Sequence, residues 1–216
     1  MFITLEANEG AGKTVQARRL HDALTARGHD AILTREPGGS PAAEDIRKLI
    51  VCGDPDSMDA QTETLLLTAA RRVHLQQTVL PALEAGKIVV CDRYLGSTHA
   101  LQGAAGVSGE EIESLFERYC GTRPDLTLFL DIDLETAFAR RASDLATAAP
   151  GEAEDRFERK GIAYHRRIDT LFRAQAAREP SWVTIDATGS IDTVAERILR
   201  AVEARLGTHH QPGAMA

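Results

Sequence analysis

Short apolar runs alternate along the chain with longer segments in which apolar residues recur every three or four positions. The short runs cover residues 2–6, 31–34, 88–91, 126–132 and 182–185. Each run is almost continuously apolar, as a strand requires when both of its faces are buried. Strands that alternate with helices indicate a parallel sheet whose crossover connections are helical. The pattern therefore predicts an α/β fold.

The longer segments predict helices over residues 13–27, 42–51, 59–84, 109–120, 134–141, 156–179 and 190–206. In the last of these, Ile191, Val194, Ile198 and Val202 recur at helical spacing, which indicates a buried face. A chain of 216 residues has no room for two well-buried cores. We therefore predict a single domain over residues 1–206.

Two segments have neither a helix nor a strand pattern. Residues 143–153 are rich in Ala, Pro and Gly and lie between two arginine-bearing segments, so they fit a variable surface loop as well as a mobile lid that excludes water. Residues 207–216 are predicted to form a disordered tail. His209 and His210 could touch a metal there, but two histidines in a frayed, solvated terminus are the simpler interpretation.

Composition excludes several classes of protein. The formal net charge of -7 argues against nucleic acid held by bulk electrostatics. No apolar run approaches the roughly 20 residues of a membrane helix, and the N-terminus does not resemble a signal peptide. The three cysteines are widely spaced and form no CxxC pair, which favours reduced thiols in a cytoplasmic protein.

A glycine-rich turn joins the first strand to the first helix and carries the strongest chemical signal. Gly10 and Gly12 allow the backbone N–H groups to surround an anion, and the helix start adds its positive dipole end. Lys13 is expected to reach the β- and γ-phosphates of ATP, and the Thr14 hydroxyl to bind Mg²⁺. Ala7 stands where the P-loop pattern has its first Gly, which costs little if its φ is negative and a methyl group fits. The context favours a P-loop over a chance Gly-rich helix start.

Polar motifs follow two further predicted strands. Residues 34–39 (Thr-Arg-Glu-Pro-Gly-Gly) follow the second strand, and Asp92-Arg93-Tyr94 ends the third. Ligands of open α/β sheets collect at the carboxyl ends of the strands, so these side chains are predicted to converge on one crevice. Opposite a P-loop, they indicate the acceptor site of a kinase, although a local ion pair would also explain Asp92-Arg93.

Taken together, these motifs resemble those of bacterial thymidylate kinases from residue 2 to about residue 206. The stretches that carry the resemblance are Glu9-Gly10-Ala11-Gly12-Lys13-Thr14, Thr34-Arg35-Glu36-Pro37-Gly38-Gly39, Asp92-Arg93-Tyr94 with Ser97 and Gln102-Gly103, the segment from Arg123 to Asp131, Asp155-Arg156-Phe157-Glu158 and Ile185-Asp186-Ala187. The resemblance implies a P-loop NTPase three-layer sandwich with a five-stranded parallel sheet, flanking helices and a short lid over about residues 141–155. It also implies a homodimer and transfer of the ATP γ-phosphoryl group to dTMP, giving dTDP.

The resemblance further assigns roles to single residues. ATP would be bound by the loop residues Glu9, Gly10, Ala11, Gly12, Lys13, Thr14 and Val15 and by the lid-side arginines Arg140 and Arg141. The acceptor nucleotide would be bound by Glu9, Arg35, Pro37, Arg47, Leu67, Arg71, Arg93, Ser97, Thr98, Leu101 and Gln102. Thr14 and Asp92 would lie at Mg²⁺, and the catalytic groups would be Lys13, Arg93, Arg156 and Glu9. For Arg47 a helix-surface role is equally open, and Arg72 is expected on a solvated face.

Three positions depart from the family pattern. Leu67 replaces a phenylalanine whose ring stacks on the base, Leu101 replaces an aromatic residue beside the sugar, and Val15 replaces a hydroxyl residue. Stacking on a base contributes about 1–3 kcal/mol. The chain therefore fits a dTMP kinase with a repacked pocket, a kinase for a different or modified deoxypyrimidine monophosphate, or a non-catalytic nucleotide-binding paralogue. Intact Lys13 and Arg93 favour the enzyme.

Overall fold

The computed structural model of the chain describes residues 1–52, 57–147 and 161–209, with the backbone alone for 141–147 and 208–209. Five strands form one parallel sheet in the order β2-β3-β1-β4-β5. The strands are β1 (Phe2–Glu6), β2 (Ala31–Arg35), β3 (Ile88–Asp92), β4 (Leu126–Asp131) and β5 (Trp182–Asp186). All five predicted strands are thereby confirmed within one residue at their ends.

Helices cover both faces of the sheet. They are α1 (Lys13–Ala26), α2 (Pro41–Val51), α3 (Ala60–His74), α4 (Leu80–Glu84), α5 (Leu95–Ala104), α6 (Gly109–Tyr119), α7 (Leu134–Thr147), α8 (Ile162–Arg178) and α9 (Ile191–His209), with a π-helical turn (Leu75–Val79) between α3 and α4. The single helix predicted over residues 59–84 is thus interrupted by a π-helical turn. None of the described helices is both long and apolar enough to cross a membrane.

Three further helices differ from the predictions. Helix α5 was not predicted, because Gly96, Ser97 and Thr98 are weak helix formers and its polar residues face inward. Helix α7 continues to Thr147, so the first residues of the segment 143–153 are helical rather than patternless. Helix α9 continues to His209, three residues into the predicted tail. The predicted start of α8 at residue 156 lies outside the described residues.

Two apolar layers flank the sheet. Ile3, Leu5 and Val90 pack with residues of α1 and α9 on one face. Phe2 and Val89, one residue out of phase, pack on the other face with the π-helical turn and α6. Successive strand side chains point to opposite faces, so a strand buried on both sides must be apolar at every position. This explains the continuous apolar runs and makes the fold a three-layer α/β sandwich.

The parallel register brings the polar ends of all five strands to one edge of the sheet. Leu5 and Arg35 are both paired with Asp92, and Asp131 is paired with Asp186. The loops after β1, β2 and β3 therefore open at the same edge, where ligands of open α/β sheets bind.

Candidate active site

A cleft of about 470 Å³ opens at the carboxyl edge of the sheet. It brings together all eleven residues predicted for the acceptor nucleotide, both residues predicted for Mg²⁺, and the loop residues Gly10, Gly12, Lys13 and Val15. Ala11 does not line it, because its side chain is buried in the core. The volume lies within the range of about 300–1,000 Å³ that is typical of small-molecule sites.

The glycine-rich turn has the backbone of an anion-binding loop. Gly10 and Gly12 have φ angles of 76° and 84°, a region that side chains other than glycine rarely adopt. A Cβ on Gly10 would lie 2.0 Å from the carbonyl oxygen of Ala137, so the loop and α7 approach too closely for any side chain. Ala7 has a negative φ and is fully buried in the core, so both conditions under which it can replace glycine are met.

Lys13 is the first residue of α1 and folds back over the turn. Its Nζ donates a hydrogen bond of 2.8 Å to the carbonyl oxygen of Asn8, and only 6% of the residue is exposed. Burial, together with the positive charge of Arg93, lowers the pKa of Lys13 to about 8, against the opposing carboxylates Glu9 and Asp92. The ammonium group is therefore held at the glycine-rich turn, and it loses its proton at a lower pH than an exposed lysine.

Oxygen atoms suited to Mg²⁺ lie beside the lysine. The Thr14 hydroxyl donates a hydrogen bond of 2.5 Å to Asp92 Oδ2. Asp92 Oδ1 is buried and accepts no hydrogen bond from the described residues. A carboxylate and a hydroxyl are hard oxygen ligands of the kind that Mg²⁺ takes together with phosphate oxygens. The residues present therefore fit the metal that a phosphoryl-transfer site requires.

Arg93 projects into the cleft from the turn after β3. Its guanidinium donates to the Ala7 carbonyl oxygen (3.2 Å) and to Ser97 Oγ (3.0 Å), and it forms an ion pair with Glu9. Burial alone would lower the pKa of Arg93, but the carboxylates of Glu9, Asp92 and Glu6 raise it. The Arg93 guanidinium thus carries a permanent positive charge and contacts both the segment after β1, at Ala7, and the first turn of α5, at Ser97.

A buried polar network holds Arg71, which also lines the cleft. Its Nε donates to Glu36 Oε2 (2.7 Å) and its NH2 donates to Thr98 Oγ1 (3.0 Å). Glu36 Oε1 is also 2.9 Å from His74 Nδ1, and His74 Nε2 is 2.7 Å from Thr34 Oγ1. Arg71 and His74 lie on the same face of α3, whereas Glu36 comes from the loop after β2. Sequence reasoning assigned no role to Glu36 or His74.

Aliphatic and polar side chains also line the cleft. Leu67 and Leu101 both line the cleft and are partly exposed. Gln102 is buried and donates a hydrogen bond of 3.2 Å to Glu63 Oε2. The two positions predicted to depart from an aromatic pocket therefore both face the ligand space.

The remaining predicted arginines differ in placement. Arg35 lines the cleft and pairs with Glu44 at 3.0 Å, and Arg47 lines it with a hydrogen bond of 2.7 Å to the Pro37 carbonyl oxygen. Arg140 does not line the cleft and donates to the carbonyl oxygens of Ala187 and Gly189. The Arg141 side chain and all of Arg156 lie outside the described residues. Arg72 is exposed as predicted and donates to the Tyr119 carbonyl oxygen.

Comparisons with known proteins agree with this geometry. The family model described as thymidylate kinase matches residues 5–198. Thymidylate kinase of Caulobacter vibrioides is 46% identical over 209 residues, covering 95% of this chain and 97% of the relative. The corresponding protein of Ruegeria pomeroyi is 44% identical and covers 94% of each chain. A crystal structure of thymidylate kinase from Ehrlichia chaffeensis superimposes with a TM-score of 0.74 at 26% identity, covering 94% of this chain and 98% of that one. The chain belongs to the thymidylate kinase family.

Proposed function

We propose that this protein transfers the γ-phosphoryl group of ATP to dTMP, giving dTDP and ADP. The observation that carries the proposal is one cleft lined by the phosphate loop with Lys13, by Arg93 and by the buried Arg71. Membership of the thymidylate kinase family supports both the donor and the acceptor.

At the donor end, the backbone N–H groups of residues 10–14 would surround the ATP phosphates. Lys13 would contact the β- and γ-phosphates once it leaves the Asn8 carbonyl oxygen. Thr14 and Asp92 would hold Mg²⁺, which would neutralise the charge that develops on the phosphates. Arg140, Arg141 and Arg156 keep the ATP-facing role that the resemblance implies, and Arg156→Ala should lower kcat if it acts on the transferring group.

At the acceptor end, Arg93 would bind the dTMP phosphate, and Arg35 and Arg47, which also line the cleft, would add positive charge. Glu9 would accept a hydrogen bond from the sugar 3′-hydroxyl. Arg71 has donors beyond those that contact Glu36 and Thr98, and these can reach the edge of a base. Pro37, Ser97, Gln102, Leu67 and Leu101 would form the walls around the sugar and the base.

Catalysis in this arrangement is alignment and charge neutralisation. An oxygen of the dTMP phosphate attacks the γ-phosphorus, the bond to the β,γ-bridging oxygen breaks, and ADP leaves. Lys13 and Arg93 would offset the repulsion between the two anions. The step needs no covalent intermediate with a side chain.

Acceptor choice is tested by a coupled kinase assay across dTMP, dUMP, modified dUMPs, UMP, dCMP and dGMP. We expect the highest kcat/KM for dTMP. A preference for a modified dUMP would instead favour the alternative in which Leu67 and Leu101 reshape the base pocket. Nucleotide binding with no transfer to any acceptor would favour the non-catalytic paralogue.

Family membership also supports a homodimer in the cytoplasm. Leu49 and Leu65 are more than half exposed and lie on α2 and α3, two helices that pack against each other. If another chain covers α2 and α3, these two leucines would be buried in the interface. Light scattering should give twice the chain mass, and Leu65→Glu should lower it to that of a monomer; a monomeric wild type would contradict the dimer.

A further inference from the structure

Glu6 is a buried carboxylate that the proposed function does not use. It is the last residue of β1, only 1% of it is exposed, and it does not line the cleft. Its Oε1 accepts a hydrogen bond of 2.9 Å from the backbone N–H of Tyr94, and its Oε2 accepts one of 2.5 Å from the Ser97 hydroxyl. Both oxygens are thus engaged by residues that follow Arg93 within four positions.

The backbone of Arg93 needs such support. Its φ is 68°, and among the described residues no other non-glycine residue has a positive φ. This left-handed conformation is costly for a residue with a side chain, and it persists where the surroundings hold it in place. The Arg93 amide donates to the Leu5 carbonyl oxygen at 3.0 Å, and the next amide donates to the Glu6 carboxylate. The end of β1 therefore holds both amides of the turn.

The side chain of Arg93 is connected to the same carboxylate. Arg93 NH1 donates to Ser97 Oγ, so the single hydroxyl proton of Ser97 is left to donate to Glu6. These two hydrogen bonds form a relay in which Arg93 donates to Ser97 and Ser97 donates to Glu6. Glu6 also accepts from the Tyr94 amide, so both of its oxygens act as acceptors. Burial raises the pKa of the Glu6 carboxyl, and the hydrogen bonds from Ser97 and Tyr94 and the charge of Arg93 oppose that rise.

The contact between α5 and the end of β1 depends on a glycine. A Cβ on Gly96 would lie 2.9 Å from Glu6 Oε1 and 2.8 Å from the Trp182 ring. The first turn of α5 can approach the end of β1 only because residue 96 is glycine. Glu6, the Arg93 turn and α5 are therefore packed as one unit beneath the acceptor end of the cleft.

We infer that Glu6 is a positioning residue that aims the Arg93 guanidinium at the phosphate of the acceptor nucleotide. Glu6 touches no substrate and acts through Tyr94 and Ser97. The inference rests on the proposed function, because it takes Arg93 to be the group that grips the acceptor phosphate.

The test is Glu6→Gln, which keeps the shape of the side chain. The Tyr94 amide and the Ser97 hydroxyl donate to different oxygens of Glu6, and in a glutamine one of those two positions is an NH₂ donor that faces another donor. Misplacing a positioned group by about 1 Å can cost about 100-fold in rate, so we expect kcat/KM for dTMP to fall about 10- to 100-fold. The KM for ATP should stay within about twofold, because the Lys13 contact is not part of the relay.

A double-mutant cycle separates positioning from general destabilisation. In an Arg93→Ala background there is no guanidinium to aim, so adding Glu6→Gln should change kcat/KM for dTMP by less than about threefold. Thr4→Val is the matched control, because it removes a buried hydroxyl of β1 that contacts Thr127 and leaves the relay intact. It should lower Tm and leave the kinetic constants for dTMP unchanged.

Four results would overturn the inference. They are an unchanged kcat/KM for dTMP in Glu6→Gln, an equal loss toward ATP and dTMP, a full additional loss in the Arg93→Ala background, and a wild-type protein that transfers no phosphoryl group to dTMP. The last result refutes the proposed function itself, whereas the first three refute only the role of Glu6. If Glu6→Gln does not fold, Glu6→Asp shortens the same side chain so that it cannot reach both Tyr94 and Ser97, and it must lower kcat/KM for dTMP but not raise the KM for ATP.

Discussion

The buried pair between Glu36 and Arg71 offers a sharp quantitative test of the site. Both residues are 4% exposed, and Glu36 also contacts His74, which has no exposed surface. Burial alone would lower the pKa of Arg71, but Glu36 raises it, so the guanidinium keeps its charge inside the protein. Glu36→Gln keeps the size of the side chain and removes the negative charge that faces Arg71.

The expected loss of stability depends on the charge of Arg71, which Glu36→Gln leaves without its carboxylate. Removing one partner of a buried ion pair leaves the other charge uncompensated, which costs about 3–5 kcal/mol. The Tyr94 ring, 4.8 Å from the Arg71 guanidinium, recovers only part of this through a cation–π interaction worth about 1–2 kcal/mol. We therefore expect Glu36→Gln to lower the free energy of unfolding by about 3 kcal/mol, equivalent to about 6–12 °C in Tm for a chain of this size.

The assay is urea unfolding of both proteins without nucleotide. The control is Asp45→Asn, which breaks an ion pair of 2.8 Å with Lys48 whose two side chains are 75% and 72% exposed. An exposed pair contributes at most about 1 kcal/mol, so this variant should stay close to the wild type. If Glu36→Gln also unfolds within 1 kcal/mol of the wild type, the buried charge of Arg71 does not depend on Glu36 and the reasoning is wrong.

Two further predictions concern the substrates. Burial lowers the pKa of Lys13 to about 8, and only the charged form attracts phosphate, so kcat/KM for ATP should fall as pH rises through about 8. Arginine keeps its charge in this range, so the fall should be absent in Lys13→Arg. A fall that is unchanged in Lys13→Arg would assign it to another group. Leu67→Phe should lower the KM for dTMP about tenfold by restoring an aromatic surface under the base. The control Ile191→Phe, at an exposed position outside the cleft, should not change it. An unchanged or higher KM for Leu67→Phe would place residue 67 away from the base.

The sequence predicts those parts of the fold that local patterns determine. The five strands are buried on both faces, so their apolar runs identify them without knowledge of their neighbours. Helix α5 escapes prediction because its buried residues include Ser97, Thr98 and Gln102. Their burial is stabilised by partners on β1 and α3, which a local pattern does not contain.

The residues of the site can likewise be divided into those that the sequence predicts and those that it does not. The motif residues Lys13, Asp92 and Arg93 are predictable because the carboxyl ends of parallel strands share one edge. The carboxylates that hold the arginines, Glu6 and Glu36, are not predictable. They contact residues 91 and 35 positions away along the chain, and a carboxylate at a strand end is by itself as consistent with solvent as with burial.

The central claim is tested most directly by following the phosphoryl group itself. ATP labelled in its γ-phosphate is incubated with dTMP, Mg²⁺ and the purified chain, and the nucleotides are separated. We predict that the label appears in dTDP, and that Lys13→Ala lowers the rate by at least about 100-fold, since it removes charge from the transition state. Label that stays in ATP or appears only as inorganic phosphate, with dTMP recovered unchanged, would contradict the assignment of this protein as a dTMP kinase.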